Sequence, residues 1–380
     1  WNELLDARIS DRSRAIDVSG IRRVFELGAR LSNPINLSIG QPDFPVPDVI
    51  KAGAAEAIHA DHNGYSLTQG APQLLQPVRE HLRRHDGWDV DDPELDLMVT
   101  SGTSGALLLA FLTLLNPGDE AILPDPYFVV YPAHAHLAGA VPVFADTYPD
   151  CRLTAERVEP LITDRTRLVL LNSPGNPSGV VLTASEIRDL VDLCASRRVM
   201  LLTDEIYDEF VFGDAPTAPS PTALTRDCLL IRGFGKTYGC TGWRLGYAAG
   251  PARLLAEMRK LQQYTFVCAP TPLQIGAAAS FEASIREVVE HYRSRRDRLV
   301  QAFEGVTELP RPDGAFYAFV KVPESCGMTA TEFAERAIEH NVLVIPGGVF
   351  SRVDTHIRIS FAAPDEALDA GLAVLRDLMS

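Results

Sequence analysis

The chain has 380 residues, of which 46% are hydrophobic and 22% are charged, a composition typical of a soluble globular protein large enough for two domains. Its formal net charge of −15 argues against nucleic acid and anionic membranes as partners, because both require a basic surface. The longest apolar segment, which begins at Ala106, is too short to span a bilayer. The six cysteines include no C-x-x-C pair, which argues against zinc and redox motifs. They are widely separated and several lie in apolar runs, from which we expect free thiols in a reducing, cytoplasmic setting.

The first predicted element is a helix before about Gly40, and it is followed by a region in which strands and helices alternate. Short apolar runs separated by amphipathic segments of helical length are typical of a parallel sheet with crossover helices. One such helix is "TASEIRDLVDLCASR", for which Thr183 or Ser185 is the predicted N-cap. The predicted strands are "DLMVTS" ending near Thr100, "EAILP" ending near Leu123, "VPVFA" near Val143, "RLVLLN" ending near Asn172, "VMLLTDE" ending near Asp204 and "CLLIRGF" ending near Phe234.

The C-terminal part differs in pattern. After about Pro270 a long helical pattern extends to Val306, and the runs "AFYAFV", "VLVIPG" and "HIRISFA" then predict short strands before a final helix. The sequence therefore predicts an α/β protein. We expect a large domain of residues 41–275, with a mostly parallel sheet between helices, and a smaller α+β domain built from residues 1–40 together with 276–380.

Polar residues follow several of the predicted strands, at the sheet edge where α/β proteins bind ligands. The segment "TSGTSGAL" opens a helix directly after a strand, and its small residues and free backbone N–H groups suit a phosphate. In "NSPGNPSG", Asn176 lies between Gly175 and Pro177, so its amide is aimed from a rigid turn. A purely structural Asx-turn remains an equal alternative for that segment.

Three charged residues complete the set. Asp204 follows four apolar residues, and a buried carboxylate needs a cationic partner, which is either a ligand or an arginine in the core. Lys236 ends another apolar run, where a snorkelling side chain is the alternative to a reactive amine, and Arg244 follows it. A phosphorylated pyridine aldehyde would use every one of these groups, since lysine can capture its aldehyde as a Schiff base.

The order and spacing of these segments resemble the class I and II aminotransferases, which are pyridoxal-phosphate enzymes of fold type I similar to aspartate aminotransferase. The resemblance covers nearly the whole chain. It rests on nine segments in the family's order, which are "IGQPDFPVP", "YSLTQGAPQL", "SGTSGAL", "NPGDEAILPDPYFVVY", "NSPGNPSG", "DEIYDEF", "FGKTYGCTGWRLGY", "PDGAFYAF" and "HIRISFA".

The resemblance implies that pyridoxal 5′-phosphate is the cofactor and that Lys236 forms a Schiff base with it and moves the proton. Asp204 would pair with the pyridinium nitrogen, and Asn176 and Tyr207 would bond the ring oxygen. The implied reaction is a ping-pong transamination between an L-amino acid and a 2-oxo acid, with 2-oxoglutarate as the expected acceptor. Another reaction of the same cofactor, such as β-elimination from cysteine conjugates, decarboxylation or an aminocyclopropane-type cyclisation, is the alternative.

The resemblance also implies which residues hold the rest of the cofactor. The expected phosphate ligands are Gly102, Thr103, Ser104 and Arg244. Phe128 stands where the family places an aromatic ring stacked on the cofactor, often tryptophan or tyrosine. A departure from the family occurs next to the lysine, where Gly233 and Gly235 replace frequent serines, one of which is a phosphate ligand. The sequence does not identify the group that replaces it.

For the substrate, the resemblance implies that Arg358 binds the carboxylate in a bidentate pair. Gly40 would let the backbone approach that carboxylate, and Asn176 would contact the substrate as well. Tyr65 matches a tyrosine that reaches the phosphate of the neighbouring subunit, which implies a homodimer.

The amino donor is left open by the sequence. A dicarboxylic donor needs a second cation, for which Arg22 and Arg23 on the N-terminal helix are candidates. An apolar or aromatic donor would be favoured by Phe25, Tyr127 and Phe316.

Other classes of function fit less well. A P-loop ending in "GKT" needs a glycine where Leu230 stands, and a regulator built on the same fold would need a DNA-binding segment before Gly40. His134 and His136 do not indicate a metal site, because residues two apart on a helix do not face each other.

Overall fold

The computed structural model describes residues 1–18, 20–28, 31–89 and 91–380, without the side chains of residues 2, 3, 22, 23, 25 and 27. The strands are β1 (Ile35–Asn36), β2 (Leu95–Ser101), β3 (Glu120–Asp125), β4 (Val141–Asp146), β5 (Thr166–Asn172), β6 (Met200–Asp204), β7 (Cys228–Gly233), β8 (Leu245–Pro251), β9 (Tyr317–Lys321), β10 (Val342–Leu343), β11 (Ile345–Pro346) and β12 (His356–Ser360). The α-helices are α1 (Asn2–Asp6), α2 (Asp11–Arg14), α3 (Gly20–Gly28), α4 (Asp48–His59), α5 (Pro72–His81), α6 (Gly102–Leu114), α7 (Val130–Ala138), α8 (Ala155–Val158), α9 (Ala184–Arg197), α10 (Phe234–Thr237), α11 (Ala252–Thr265), α12 (Thr271–Ala277), α13 (Arg286–Phe303), α14 (Ala330–Glu339) and α15 (Asp365–Met379).

The large sheet has seven strands in the order β2-β8-β7-β6-β5-β3-β4. Strand β8 runs antiparallel to both of its neighbours, whereas the other neighbouring pairs are parallel. The mixed α/β class and the six predicted strands are confirmed. Because helices cover both faces, these strands carry near-continuous apolar runs rather than alternating patterns.

Strand β8 is the element of this sheet that sequence patterning did not indicate. Its sequence "LGYAAGP" is rich in glycine and alanine rather than in the β-branched residues typical of strands. The reason is the close approach of α6, because a Cβ atom at Gly246 would lie 2.8 Å from the backbone nitrogen of Thr103. Small residues are therefore needed where the helix that begins the predicted phosphate turn crosses the sheet.

Helix α9 shows how local sequence sets an element's start. Thr183 is the N-cap, and its hydroxyl accepts a hydrogen bond from the backbone N–H of Glu186 at 3.2 Å. The Glu186 carboxylate in turn accepts the Thr183 N–H at 2.7 Å, which completes a capping box. Of the two predicted caps, Thr183 is therefore correct and Ser185 is wrong.

The long helical pattern after Pro270 was expected to be continuous, and that expectation is wrong. The structure divides it into α12, a 3₁₀ turn (Ala278–Glu282) and α13. Helix α12 packs closely on α4, where a Cβ at Gly53 would lie 3.3 Å from the Cα of Gly276. Helix α13 begins only after the 3₁₀ turn. The domain division at residues 275 and 276 stays a prediction, and it falls inside α12.

Both ends of the chain meet in a second layer of structure. Strand β1 pairs in parallel with β10, with Ile35 opposite Val342, while β11, β12 and β9 form a separate antiparallel sheet. The segment that leads to Gly40 is thereby anchored on the C-terminal part of the chain. Helix α3 also packs there, since a Cβ at Gly20 would overlap a methyl group of Val349.

The described residues also bear on partners and cofactors. No helix in this part of the chain is both long enough and apolar enough to cross a membrane. No cluster of three or more His, Cys, Asp or Glu side chains within it is arranged to hold a metal ion. All six cysteines are free thiols.

Candidate active site

The carboxyl edge of the large sheet, together with β9 and β12, encloses a cavity of about 310 Å³. Every residue that the sequence predicted to bind the cofactor or the substrate carboxylate lines this cavity except Tyr65. The predicted residues found there are Gly40, Gly102, Thr103, Ser104, Phe128, Asn176, Asp204, Tyr207, Lys236, Arg244 and Arg358. Further residues that line it are Ile21, Tyr131, Asn172, Ile206, Gly235, Thr241, Leu245 and Tyr317.

Lys236 reaches the cavity from α10, directly after β7. Its amine donates a hydrogen bond to the carbonyl oxygen of Gly40. Burial, together with the positive charges of Arg358 and Arg244, lowers the pKa of Lys236 to about 8. The other three lysines of the chain differ, because their side chains are 37%, 49% and 64% exposed and each pairs with a nearby carboxylate. The amine in the cavity is thus set apart as the reactive one, since a neutral amine is a nucleophile.

Asp204 ends β6 and is almost completely buried. Its Oδ2 accepts a hydrogen bond from the hydroxyl of Tyr131 at 2.9 Å, and its Oδ1 accepts the backbone N–H of Ile206 at 3.3 Å. Burial raises the pKa of Asp204 to about 6, although the Tyr131 hydrogen bond opposes the rise. No arginine in the described part of the chain holds this carboxylate, so the alternative of a core ion pair does not apply. A cationic group of a ligand would suit it.

The next carboxylate in the chain, Glu205, has a different environment. Its Oε2 accepts a hydrogen bond from Nη2 of the buried Arg232 at 2.8 Å, and Arg232 also donates to Asp86 from Nη1 at 2.7 Å. Arg232 lies behind the cavity and binds this pair of acids, which leaves Asp204 as the acid that faces a ligand. The sequence left open whether Asp204 pairs with an arginine in the core. In the structure it is the next residue, Glu205, that forms such a pair, with Arg232.

The N-terminus of α6 and Arg244 form an anion-binding cradle. Gly102 opens the helix with φ of +68°, and a Cβ atom there would lie 2.7 Å from Nη2 of Arg244. The guanidinium therefore lies against the first turn of α6, whose free N–H groups attract anions. Gly233 is also explained here, because a Cβ at that position would lie 2.9 Å from Cγ2 of Thr103. Thr241, which carries a hydroxyl, lines the cavity together with Gly235.

Arg358 lies on β12, fully buried, and also lines the cavity. Its Nη1 donates to Oδ1 of Asn176 at 3.1 Å, and its Nη2 donates to the carbonyl oxygen of Ser38 at 2.8 Å. Its Nε is buried without a hydrogen-bond partner within the described part of the protein. The Asn176 turn is held in place by Asn172, whose Oδ1 accepts the Asn176 N–H at 2.9 Å. A carboxylate bound here would meet a fixed guanidinium and a fixed amide.

A model of the family described as aminotransferase class I and II matches residues 32–375. The chain belongs to this family.

Curated relatives and solved structures that are similar to this aminotransferase match nearly the whole chain. The probable aspartate aminotransferase of Methanocaldococcus jannaschii is 34% identical over 97% of this chain and 99% of its own. The aromatic-amino-acid aminotransferase 2 of Thermococcus litoralis is 33% identical over 96% of each chain. The aspartate aminotransferase of Thermus thermophilus, solved with maleate, superposes with a TM-score of 0.90 at 32% identity and covers 97% of this chain and 99% of its own. These names include both dicarboxylic and aromatic donors.

Some expected residues of the aminotransferase lie outside the cavity. Tyr65 is 88% exposed and does not line it. Tyr127 packs on Phe144 with ring centroids 5.0 Å apart, and Phe316 is buried behind the cavity, 5.9 Å from the Lys236 amine. Neither aromatic candidate for donor recognition is therefore a lining residue. The side chains of residues 22, 23 and 25, the remaining candidates Arg22, Arg23 and Phe25, lie outside the described part.

Sequence reasoning missed three polar residues that the structure brings into the site, namely Tyr131, Asn172 and Tyr317. Tyr131 could have been found from its spacing, since it follows Phe128 by one helical turn and the two rings lie 5.7 Å apart. Asn172 opens the quoted motif and donates from Nδ2 to the carbonyl oxygen of Asp204 at 2.9 Å. Tyr317 comes from a distant part of the chain, and no local pattern connects it with the cavity.

Proposed function

We propose that this aminotransferase uses pyridoxal 5′-phosphate and transfers an amino group from an L-amino acid to a 2-oxo acid, with 2-oxoglutarate as acceptor. The observation that carries the proposal is the meeting of Lys236, Asp204 and Arg358 in one cavity with an anion cradle. An amine of lowered pKa, a buried carboxylate and a carboxylate-binding guanidinium are the three groups that transamination of an amino acid requires.

The residues present fit the cofactor. Its phosphate suits the cradle between Gly102 and Arg244, where the glycine leaves room and the helix N-terminus adds positive potential. Its ring nitrogen suits Asp204, because a pyridinium cation would supply the charge that this buried carboxylate lacks. When bound, the cofactor supplies an aldehyde that joins to an amine and a ring that withdraws electrons from the substrate.

The protein's own groups then have distinct tasks. Arg358 binds and orients the substrate carboxylate, with Asn176 fixing the guanidinium. Asp204 keeps a proton on the ring nitrogen, and Tyr207 donates its hydroxyl proton toward the ring oxygen. The Lys236 amine removes the proton from the substrate Cα and returns it to the neighbouring carbon as general base and acid. The aromatic residues that line the cavity reduce the access of water to these proton transfers. They are Phe128, Tyr131, Tyr207 and Tyr317.

We also propose that the protein is a cytoplasmic homodimer. The resemblance implies a role for Tyr65 in the neighbouring subunit's site, and its side chain, which is 88% exposed on the single chain, is accessible for such a contact. The six free thiols suit a reducing compartment. A protein that sediments as a monomer while fully active would contradict the dimer.

Replacement of Gly102 with alanine tests the cradle. The new Cβ would collide with Arg244 at a φ of +68°, so we expect cofactor affinity to fall about tenfold or more. Gly87→Ala is the matched control, because Gly87 also has φ of +68° but an added Cβ there would meet no atom within 4 Å. Both variants place a side chain at a φ of +68°, and the difference between their cofactor dissociation constants tests the cradle. Equal constants would argue against a phosphate at this position.

The function itself is tested with the purified protein. We expect added pyridoxal 5′-phosphate to produce a visible absorbance band, and alanine, aspartate, aromatic or sulfur amino acids to yield the matching 2-oxo acid with 2-oxoglutarate as acceptor. Product analysis separates the alternatives, since pyruvate and a thiol from a cysteine conjugate would indicate β-elimination instead. A protein that stays colourless with the cofactor would refute the proposal.

A further inference from the structure

Tyr317, the first residue of β9, contacts both Arg358, the expected substrate ligand, and Tyr207, an expected cofactor ligand. The face of its ring lies under the guanidinium of Arg358, with Cζ 4.5 Å from the ring centroid. Its hydroxyl lies 3.2 Å from the hydroxyl of Tyr207. The side chain is completely buried and lines the cavity. One residue of the C-terminal sheet thus contacts the expected substrate arginine and the tyrosine that follows β6.

Strand pairing fixes this position. Tyr317 lies opposite Ser360 and Phe319 lies opposite Arg358, so the tyrosine and the arginine are diagonal neighbours on one face of the β9–β12 ladder. Phe350 covers the other side of the guanidinium, with Cζ 4.6 Å from its ring centroid. The cation is therefore held between two aromatic faces, which stabilise its charge where water is absent.

Gly40 makes room for the tyrosine hydroxyl. A Cβ atom at Gly40 would lie 2.9 Å from Oη of Tyr317, so a larger residue would push the ring away. The loop that carries Gly40 also accepts the hydrogen bond of Lys236, which places the tyrosine next to the reactive amine as well. Gly40 thus leaves the room that the Tyr317 hydroxyl occupies.

We propose that Tyr317 is a positioning residue that couples substrate binding to the cofactor ring, its ring face fixing Arg358 and its hydroxyl fixing Tyr207. The proposal rests on the proposed function. In the structure the Tyr207 hydroxyl donates to Oη of Tyr317. With the cofactor bound, Tyr207 would turn its single proton to the ring oxygen, and Tyr317 would become the donor to the Tyr207 oxygen. A chain of two hydroxyls strengthens the first donor, because each bond polarises the next.

The other groups that face Tyr207 affect it through charge or ring contact rather than through a hydrogen bond to its hydroxyl. Asp204 of β6 and Arg358 of β12 act on it through charge, in opposite directions, and Phe316 contacts it edge-on with ring centroids 5.4 Å apart. Burial raises the pKa of Tyr317, so the hydroxyl remains protonated at neutral pH and is able to donate. Its removal therefore changes hydrogen bonding to Tyr207 without a change of charge in the site.

Tyr317→Phe tests the hydroxyl in the holoenzyme. A weaker Tyr207 donor stabilises the ionised ring oxygen less, so the pH midpoint of the cofactor's visible absorbance should rise by about half a unit. We expect kcat to fall about fivefold, the value of one neutral hydrogen bond, while KM for the donor stays within twofold because the ring remains. An absorbance midpoint and a kcat equal to those of the unmodified protein would overturn the role of the hydroxyl.

Tyr317→Leu tests the ring face. Arg358 then loses one of its two aromatic contacts, and we expect KM for the amino donor to rise about tenfold beyond that of Tyr317→Phe. Thermal unfolding checks whether Tyr317→Leu is folded. If Tyr317→Leu does not fold, the result for Tyr317→Phe decides the proposal. Equal KM values in two folded variants would overturn the role of the ring.

Tyr148→Phe is the control. Tyr148 also carries a hydroxyl with a protein partner, Oγ of Ser351 at 2.8 Å, and its ring contacts Phe319 of the same sheet, but it does not line the cavity. We expect it to leave the absorbance midpoint and kcat unchanged. Suppose that the unmodified protein binds the cofactor and transaminates, but Tyr317→Phe and Tyr148→Phe have the same absorbance midpoint and kcat. The proposal for Tyr317 is then wrong, while the proposed function stands. If the unmodified protein binds no cofactor, both proposals fail.

Discussion

Lys236→Ala is expected to remove the visible absorbance of the bound cofactor and to lower turnover by roughly 10⁴-fold or more. The variant loses both the amine that bonds to the cofactor and the base that moves the substrate proton, and no other described lysine reaches the cavity. Absorbance spectra, steady-state rates and borohydride reduction followed by peptide mapping measure the two losses separately. We expect the reduced adduct on Lys236 in the unmodified protein and on no other lysine.

Lys260→Ala is the matched control, because Lys260 is 64% exposed and pairs with Glu257 on a surface helix. It should be indistinguishable from the unmodified protein. The lowered pKa of Lys236 also predicts a pH dependence, because the amine is protonated below a pH of about 8 and neutral above it. The rate at which cofactor-free protein recovers its absorbance should therefore rise with pH up to that value and then level off. A fully active Lys236→Ala variant would refute the assignment.

Asp204→Asn is expected to lower kcat by about 10²- to 10³-fold, the usual effect of removing one electrostatic partner from a preorganised site. The asparagine keeps the shape and can still accept the hydrogen bond of Tyr131, but it cannot balance a positive charge on the ring nitrogen. The loss should appear in kcat, while cofactor affinity changes far less because the phosphate cradle is intact. Stopped-flow measurement of single turnovers would separate the chemical step from product release.

Asp208→Asn provides the comparison for this variant. Asp208 is buried four residues further on, 3.2 Å from Nε of Arg232, and does not line the cavity. Burial raises its pKa although Arg232 opposes the rise, and Arg232 keeps two other carboxylate partners, Asp86 and Glu205, when Asp208 is replaced. We expect kcat within about twofold of the unmodified protein. A decrease of less than tenfold for Asp204→Asn would mean that the carboxylate does not serve the ring nitrogen.

The sequence predicted the large sheet and most of the site for a physical reason. Parallel strands buried on both faces carry apolar runs, and the polar residues that follow them converge at one edge, so Asp204, Lys236 and Asn176 could be placed without tertiary information. Helix start signals were equally local, as Thr183 shows. These features depend on residues close to one another in the chain.

The rest depends on contacts between distant segments. The hydroxyl of Tyr317 meets that of Tyr207 across 110 positions, and the Tyr131 hydroxyl meets Asp204 across 73. The glycines of β8 have meaning only beside α6. Apart from the three-residue spacing of Phe128 and Tyr131, none of these partners is marked by spacing or composition, so a single sequence does not reveal them.

The reversed direction of β8 has a consequence for how the protein tolerates length changes. Parallel neighbours are joined by long crossovers that can gain or lose residues on the far side of the sheet, away from the chemistry. Lys236 and Arg244 are instead joined by a short return of the chain between β7 and β8, at the reactive edge itself. We expect this connection to tolerate no inserted residue, because an insertion would shift the Lys236 amine relative to the Arg244 guanidinium. Of the connections in the sheet, it is the one in which we expect insertions to be forbidden.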